Sequence, residues 1–562
     1  MKKLPIGVQD FQQIIEDDYF YADKTDLIYE LITDGLSYFL SRPRRFGKSL
    51  LLRTIESLFT GPVDPDNPKG LFADLKIAQT KWDFTQKSPT LYLDLAVKSD
   101  SPQVLENILK AKLNARADLE NETAPTKTRI KFNATYSGGM LESLIADLAR
   151  KYNSRVVLLI DEYDAPVSDH IDDLDLAKAN QAVLKSFYTR LKPSERYLRL
   201  TLITGATRYA IGLSATLNHL VDLTFDKKYA AICGFTHEEL DSLFGERMAL
   251  VLPKIIEKGF LPSNSTVENL REKILKWYDG YTWDGETAVL NPWSILNFFD
   301  QASFEKYWVN SYPSTSFIHK LYRNDPFELL KTRFRHHSHS ALGWPEFDEL
   351  KPTPLLFQTG YLTGDEIFAG YLSLKVPNME VELNNYNVFS DLFFNLLGQK
   401  PEKVIKDFKE AILSSNAVKL TEIFNSLYTG LAAINQEDTE SFQHSVLYGY
   451  CRLLALTLSD PPGSSGAPFL VLFFPDDQTV AIIELKYESQ APESEEKLAA
   501  KLEELADKGL KAIAEKKYSL PYVSEAKNLV KIGLGVTSRG QCLAKIGDNF
   551  LAPVAYSRVI EV

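Results

Sequence analysis

The segment Ser41-Arg42-Pro43-Arg44-Arg45-Phe46-Gly47-Lys48-Ser49 carries the residue types that hold a phosphate chain. A phosphate-binding loop needs a strand, a tight turn whose backbone N–H groups point inward, then Lys and Ser or Thr at a helix start. The ammonium reaches the β- and γ-phosphates, the hydroxyl binds Mg2+, and the helix N-terminus favours the anion. Gly47-Lys48-Ser49 supplies the second half of the G-x-x-x-x-G-K-[ST] pattern, and Leu50 continues into the helix. Arg42 stands where the first glycine would be, and Pro43 removes one N–H. Arg44 and Arg45 add charge that can face phosphate. A basic turn ending by chance in Gly-Lys-Ser is the competing reading, and the strand–loop–helix setting weighs against it.

A second constellation supports the first. The apolar run Val156-Val157-Leu158-Leu159-Ile160 ends in Asp161-Glu162. In phosphoryl transfer such an Asp holds Mg2+, and a Glu beside it orients or deprotonates the attacking water. Metal candidates are therefore Ser49 and Asp161, and the catalytic candidate is Glu162. The run Leu198 to Ile203 ends in Thr204-Gly205-Ala206-Thr207-Arg208, where Thr204 could sense a γ-phosphate and Arg208 could neutralise it. Loop hydrogen bonding is the plain alternative for both.

These groups need elements to position them. Leu36–Leu40 is a short apolar run, and Ser49–Phe59 has apolar residues at helical spacing before Gly61. Thr90–Leu95 reads as a strand and Leu141–Tyr152 as an amphipathic helix. Continuous apolar runs such as Val156–Ile160 suit a strand covered on both faces. Strands alternating with helices over the first 235 residues predict an α/β domain with a central parallel sheet. Residues 236–380 read as mostly helical, with aromatic breaks such as Trp277-Tyr278-Asp279-Gly280-Tyr281-Thr282-Trp283. Asn291-Pro292-Trp293-Ser294 opens a helix with Pro in its first turn. Residues 381–562 read as helices followed by a smaller α+β unit. That unit has a hairpin of strands 467–474 and 479–487, a charged helix 494–517 capped by Ser494, and a strand at 529–536.

Composition sets the outer limits. The chain has 562 residues, 44% hydrophobic and 25% charged, which predicts roughly three to four globular domains. A net charge of −12 does not advertise a nucleic-acid binder. Three distant cysteines and no CxxC pair indicate neither a disulfide framework nor a Cys zinc site. The longest apolar run, Ala467–Phe474, is far short of the about 20 residues of a membrane span. A soluble cytoplasmic protein without membrane contact is expected.

The chain resembles the AAA-ATPase-like family whose members carry a second domain of the PD-(D/E)xK nuclease superfamily. The resemblance rests on Leu4-Pro5-Ile6-Gly7-Val8-Gln9-Asp10-Phe11, Tyr21-Ala22-Asp23-Lys24-Thr25, Arg42 to Leu50, and Leu159-Ile160-Asp161-Glu162-Tyr163-Asp164. Tyr278-Asp279-Gly280-Tyr281 and Val376-Pro377-Asn378-Met379-Glu380-Val381 also fit, so it spans nearly the whole chain. In this family the loop lacks its first glycine, so Arg42 is a family trait. The resemblance implies a P-loop NTPase domain over 1–235, a helical lid or middle region over 236–380, and a restriction-endonuclease-like domain over 381–562. It implies ATP as ligand, Mg2+ as cofactor and ATP hydrolysis as the activity.

Ile482-Ile483-Glu484-Leu485-Lys486 matches the E-x-K half of the nuclease motif. Glu484 and Lys486 lie two apart on a strand and face the same side. The chemistry also needs an acid on the neighbouring strand, and hairpin geometry sets Glu484 opposite Phe469 to Val471, all apolar. Pro475-Asp476 lies at the turn, roughly 20 Å or more away along the strand. Ala512-Ile513 stands where such nucleases often carry Gln-Ile, before Lys516-Lys517-Tyr518. The domain is therefore expected to be degenerate, with His444, Glu484 and Lys486 as remnants of a site. Two rivals stay open. One is a non-hydrolysing, nucleotide-gated module that grips nucleic acid or protein. The other is an active nuclease whose acid comes from elsewhere, such as Asp460. The oligomeric state is not legible.

Overall fold

The computed structural model describes residues 1–61, 65–122, 129–170, 173–208, 220–311, 318–319, 321–323, 326–330, 333–342, 352–396, 400–434, 439–454, 456–457, 469–474, 477–516 and 527–547. The chain divides into two compact units, Met1–Tyr312 with Arg333–Glu380, and Pro313–Thr332 with Val381–Val562.

In the first unit, β1 (Ser37–Ser41), β2 (Thr90–Asp94), β3 (Val156–Asp161), β4 (Leu198–Gly205) and β5 (Val221–Asp222) form one sheet in the order β2-β3-β4-β1-β5. Every pairing is parallel. β3 is buried at all six positions, as its unbroken apolar run requires. Parallel strands end at one edge, and the registers Ser41↔Gly205 and Asp94↔Asp161 bring four strand ends together there. Open α/β sheets bind ligands outside this edge. β4 lies between β1 and β3, so its carboxyl end is flanked by the basic loop on one side and by Asp161 on the other.

Helices follow in the same unit. Thr236 and Thr266 cap His237–Glu257 and Val267–Tyr278 with reciprocal capping boxes. The Asn291 side chain accepts from the N–H of Trp293 and Ser294 and opens Pro292–Gln301, with Pro292 in the first turn. The aromatic segment is core, because Tyr278, Tyr281 and Trp283 are buried. The stretch read as mostly helical also holds a three-stranded antiparallel sheet of β6 (Arg333–Ser338), β7 (Thr363–Phe368) and β8 (Tyr371–Lys375). Its hairpin turns through Ala369 and Gly370, both left-handed at φ 49° and 81°. Two left-handed residues in a row suit the twist of a tight hairpin.

The second unit carries a five-stranded mixed sheet. Its strands are β9 (Leu456–Thr457), β10 (Phe469–Phe474), β11 (Thr479–Glu488), β12 (Asn528–Thr537) and β13 (Cys542–Ile546), in the order β13-β12-β11-β10-β9. β10 and β11 pair antiparallel, while β11 and β12 run parallel, joined through helix Glu495–Glu515. Ser494 caps that helix, accepting from Lys497 N–H. Ile513 of the helix enters the core formed by Val471, Val480, Ile482 and Leu529. Helix Glu440–Leu454 belongs to the same unit. Among the described residues no helix is long and apolar enough to cross a membrane. Cys233, Cys451 and Cys542 are each buried and free.

Candidate functional site

The basic loop leaves β1 and enters helix Lys48–Thr60 through Gly47, whose φ is 98°. That left-handed backbone is open to Gly without strain. Arg45 is also left-handed, at φ 68°. The loop carbonyls are engaged by protein donors. Pro43 O accepts from Lys48 Nζ at 3.1 Å, Arg44 O from Trp308 Nε1 at 3.0 Å, and Phe46 O from Gly234 N at 3.3 Å. Among the described residues, no protein group accepts from the N–H of Phe46, Gly47, Lys48 or Ser49. A turn with engaged carbonyls and unengaged amides at a helix start is a concavity suited to an anion.

Lys48 is buried, and its Nζ stands 3.6 Å from Glu162 Oε1. Burial pushes the Glu162 carboxyl up, and Lys48 opposes the shift. Asp161, 2% exposed, accepts from Thr204 Oγ1 at 2.8 Å, Tyr92 O–H at 3.1 Å and Glu162 N–H at 3.0 Å. Lys48, Asp161, Glu162 and Thr204 therefore converge from the ends of β1, β3 and β4. Ser49 sits in the first turn of the helix, half-buried. The residues present fit a nucleotide with Mg2+, since a buried ammonium, unengaged amides, a hydroxyl and a strand-end carboxylate meet at one edge.

The remaining loop residues divide. Arg42 is fully buried and turned away from the site. Its Nη1 donates to Ser41 O and Thr224 O at 2.8 and 3.0 Å, and its Nη2 to Tyr229 O and Ala230 O at 3.4 and 3.5 Å. The Trp283 ring lies 4.1 Å from it, and burial pulls its pKa down to about 10. Arg42, in the position of the missing first glycine, therefore anchors the loop through its side chain. Phe46 is buried against Tyr281 and Trp283, and Pro43 is buried as well. Leu50 is half-buried, with its carbonyl accepting from Thr54 Oγ1. Arg44 pairs with Asp169 at 2.6 Å, and exposed Arg45 stacks 4.4 Å from the Trp293 ring. Arg208 pairs with Asp222 and lies 4.9 Å over Phe225. Its guanidinium thus faces β5.

A family described as predicted AAA-ATPase matches residues 5–212. A protein described as "Uncharacterized protein in vnfD 5'region", from Azotobacter chroococcum mcd 1, is 31% identical over 389 residues, 68% of this chain and 68% of that protein. The chain belongs to this predicted AAA-ATPase family. Membership supports an ATP-binding role. No solved structure matches. In this AAA-ATPase-like chain, Asp164 has a structural task. It is fully buried, accepts from Ala206 N, Thr207 N and Thr207 Oγ1, and so holds the turn after Thr204. A Cβ on Gly205 would overlap Asp164 Oδ1, which explains glycine there. Asp23 likewise binds Thr25 and Lys76 N–H, and Lys24 pairs with Glu239. Sequence reasoning missed Tyr92 and the Arg53 guanidinium stacked 3.6 Å over its ring. Neither sits in a motif; the pairing of β2 with β3 brings Tyr92 to Asp161, and helix Lys48–Thr60 brings Arg53 over the Tyr92 ring.

In the second unit, Lys486 Nζ lies 3.0 Å from Glu484 Oε1 and 3.4 Å from Glu440 Oε1. His444 Nε2 is 3.7 Å from that same Glu440 oxygen. His444, Glu484 and Lys486 are therefore brought together, with Glu440 as an unanticipated fourth. Its signal was its place four residues before His444, on one helix face. Glu484 is fully buried, which raises its pKa. Burial opposes the charge on Lys486, yet Glu484 keeps its pKa raised. Phe469 lies opposite Glu484 in the β10–β11 register, within the span read from the hairpin. Asp460, Pro475-Asp476 and Lys517-Tyr518 lie outside the described residues.

Proposed function

We propose that this protein binds Mg2+·ATP at the carboxyl edge of the parallel sheet and hydrolyses it. The observation that carries the reading is the meeting of Lys48, Glu162, Asp161 and Thr204 beside a loop with unengaged amides. The amides of residues 46–49 and the Lys48 ammonium would bind the β- and γ-phosphates, Lys48 giving up Pro43 O and Glu162. Ser49 and Asp161 would hold Mg2+, which when bound supplies positive charge against the phosphate oxygens. Glu162, released from Lys48, orients or deprotonates water, and its raised pKa suits a general base. Thr204 holds Asp161 in place from β4. The test is ATP hydrolysis by purified protein beside Lys48→Ala and Glu162→Gln. Turnover abolished by both supports the reading. A folded wild type that never turns over ATP, with and without DNA, sinks hydrolysis.

A second reading, nucleotide-gated binding without turnover, draws on the arginines. Arg44 and Arg208 are each engaged by a carboxylate, so charge neutralisation in the transition state would need their release or an arginine from another subunit. A concentration-dependent specific activity would point to the subunit.

For the second unit we infer a nuclease-like fold that does not cut. Phe469 stands where the chemistry needs an acid, and the Lys486 ammonium already lies between Glu484 and Glu440. Metal-dependent DNA cleavage that Glu484→Ala abolishes would overturn this. A mobility shift on the same sample tests nucleic acid as a partner.

A further inference from the structure

We propose that Glu380 is a positioning residue for the phosphate loop, acting through Trp308 and Trp293. The inference rests on the nucleotide-binding reading above and adds a control on that site. Glu380 is fully buried at the start of helix Met379–Leu396. Its Oε1 accepts from Trp308 N at 2.6 Å and Val309 N at 3.4 Å, and its Oε2 from Ser294 Oγ at 2.7 Å. One carboxylate therefore ties helix Pro292–Gln301 to the short helix Tyr307–Asn310. Trp293 Nε1 donates to Tyr307 O at 3.2 Å and closes the frame.

Each arm of the frame offers one indole to the loop. Trp308 donates to Arg44 O at 3.0 Å, and the Trp293 ring lies 4.4 Å from the Arg45 guanidinium. Two consecutive loop residues are thus gripped by the frame. Backbone N–H groups cannot accept, so of these three partners protonated Glu380 can donate only to Ser294 Oγ. The charged form therefore makes the stronger ties to the Trp308 end. Burial raises the Glu380 pKa to about 7, so both forms are populated near neutrality. Lys306 favours its charge, and the hydroxyls of Tyr278, Tyr281 and Tyr307 feel it as well. A firmly held loop is preorganised for phosphate and binds it more tightly.

The experiment measures affinity for a fluorescent ATP analogue with Mg2+ between pH 6 and 8.5, on the full chain. Wild type is compared with Glu380→Gln, Trp308→Phe, their double variant and Lys48→Ala. Glu162 and the nucleotide also titrate, so the ratio of variant to wild type at each pH is the readout. At pH 8, Glu380→Gln and Trp308→Phe should each bind about 3–10-fold more weakly. The Gln ratio should approach one at pH 6, and the double variant should be no weaker than the weaker single. Trp308→Phe keeps a ring and tests the frame even where Glu380→Gln folds poorly. A pH-independent Gln ratio, or Trp308→Phe binding like wild type, overturns the proposal. If wild type and these variants bind alike while Lys48→Ala does not, the nucleotide reading stands and the Glu380 role falls. A folded wild type that binds no nucleotide removes both.

Discussion

Thr204 Oγ1 donates to Asp161 Oδ1 at 2.8 Å, joining the carboxyl ends of two neighbouring parallel strands. Because β4 is wedged between β1 and β3, its last residues touch both halves of the proposed site. Thr204→Val keeps the shape and removes the donor. Nucleotide binding should hold within about 3-fold, while turnover falls roughly 10-fold as Asp161 loses its orientation. Steady-state kinetics beside equilibrium binding separates the two effects.

Lys48→Ala deletes the buried ammonium that stands 3.6 Å from Glu162 Oε1. A charge-assisted bond to phosphate contributes about 1.5–3 kcal/mol, so affinity should drop roughly 10–100-fold. Titration calorimetry with a non-hydrolysable analogue measures it, and unchanged affinity would contradict the loop assignment.

Glu162→Gln preserves size and removes the proposed base. Binding should persist while kcat falls about 100-fold or more. Equal losses in binding and turnover would instead mark Glu162 as a structural partner of Lys48.

Arg42→Ala should act on stability. It strips two donors that reach four carbonyl oxygens and leaves a void against Trp283. The cost should be about 3 kcal/mol, read from denaturant melts. Arg42→Lys should recover little, since an ammonium lacks the planar fork.

Glu380 also sets a pH dependence of stability. Its pKa is raised from 4.5 to about 7, so the folded state holds the proton more tightly than the unfolded chain. The contribution is fully present below about pH 4.5 and is lost as pH rises through about 7, on the order of a few kcal/mol. Unfolding free energies at pH 5 and 8 should show this component in wild type and lack it in Glu380→Gln. Stability and nucleotide affinity would then move in opposite directions with pH.

The parts legible in sequence were those written locally. β1, the Gly47-Lys48-Ser49 turn, its helix and the Asp161-Glu162 strand end each carry their signal within a few residues. The Ser494 cap and the helix start with Pro292 in its first turn were equally plain. The pairing of Glu484 with Phe469 fell inside the window set by hairpin arithmetic. What stayed hidden depends on distant partners. In sequence Arg42 is only the residue in place of a first glycine, and its anchoring contacts need the distant carbonyls of Thr224, Tyr229 and Ala230. β5 is two residues long, too short for any periodicity. The antiparallel sheet β6-β8-β7 announces itself only through the Ala369-Gly370 turn. Glu380 is one acid near an apolar, proline-containing run, and its importance lies in three donors 71 to 86 positions away.

The engaged loop carbonyls have a consequence for how the protein comes off the ribosome. Trp308 Nε1 donates to Arg44 O across 264 positions, and at the end of β1 the Ser41 hydroxyl donates to Ala206 O across 165. Such contacts raise contact order and delay assembly of the site until most of the first unit has been synthesised. The N-terminal segment, Lys48 included, is synthesised before β4, β5 and the tryptophan frame, so its apolar strands are expected to stay uncovered until those elements follow. A fragment ending at residue 212, where the family match stops, lacks β5 and every tryptophan that grips the loop. It should behave as an aggregating chain, and the smallest soluble nucleotide-binding piece should extend through Glu380.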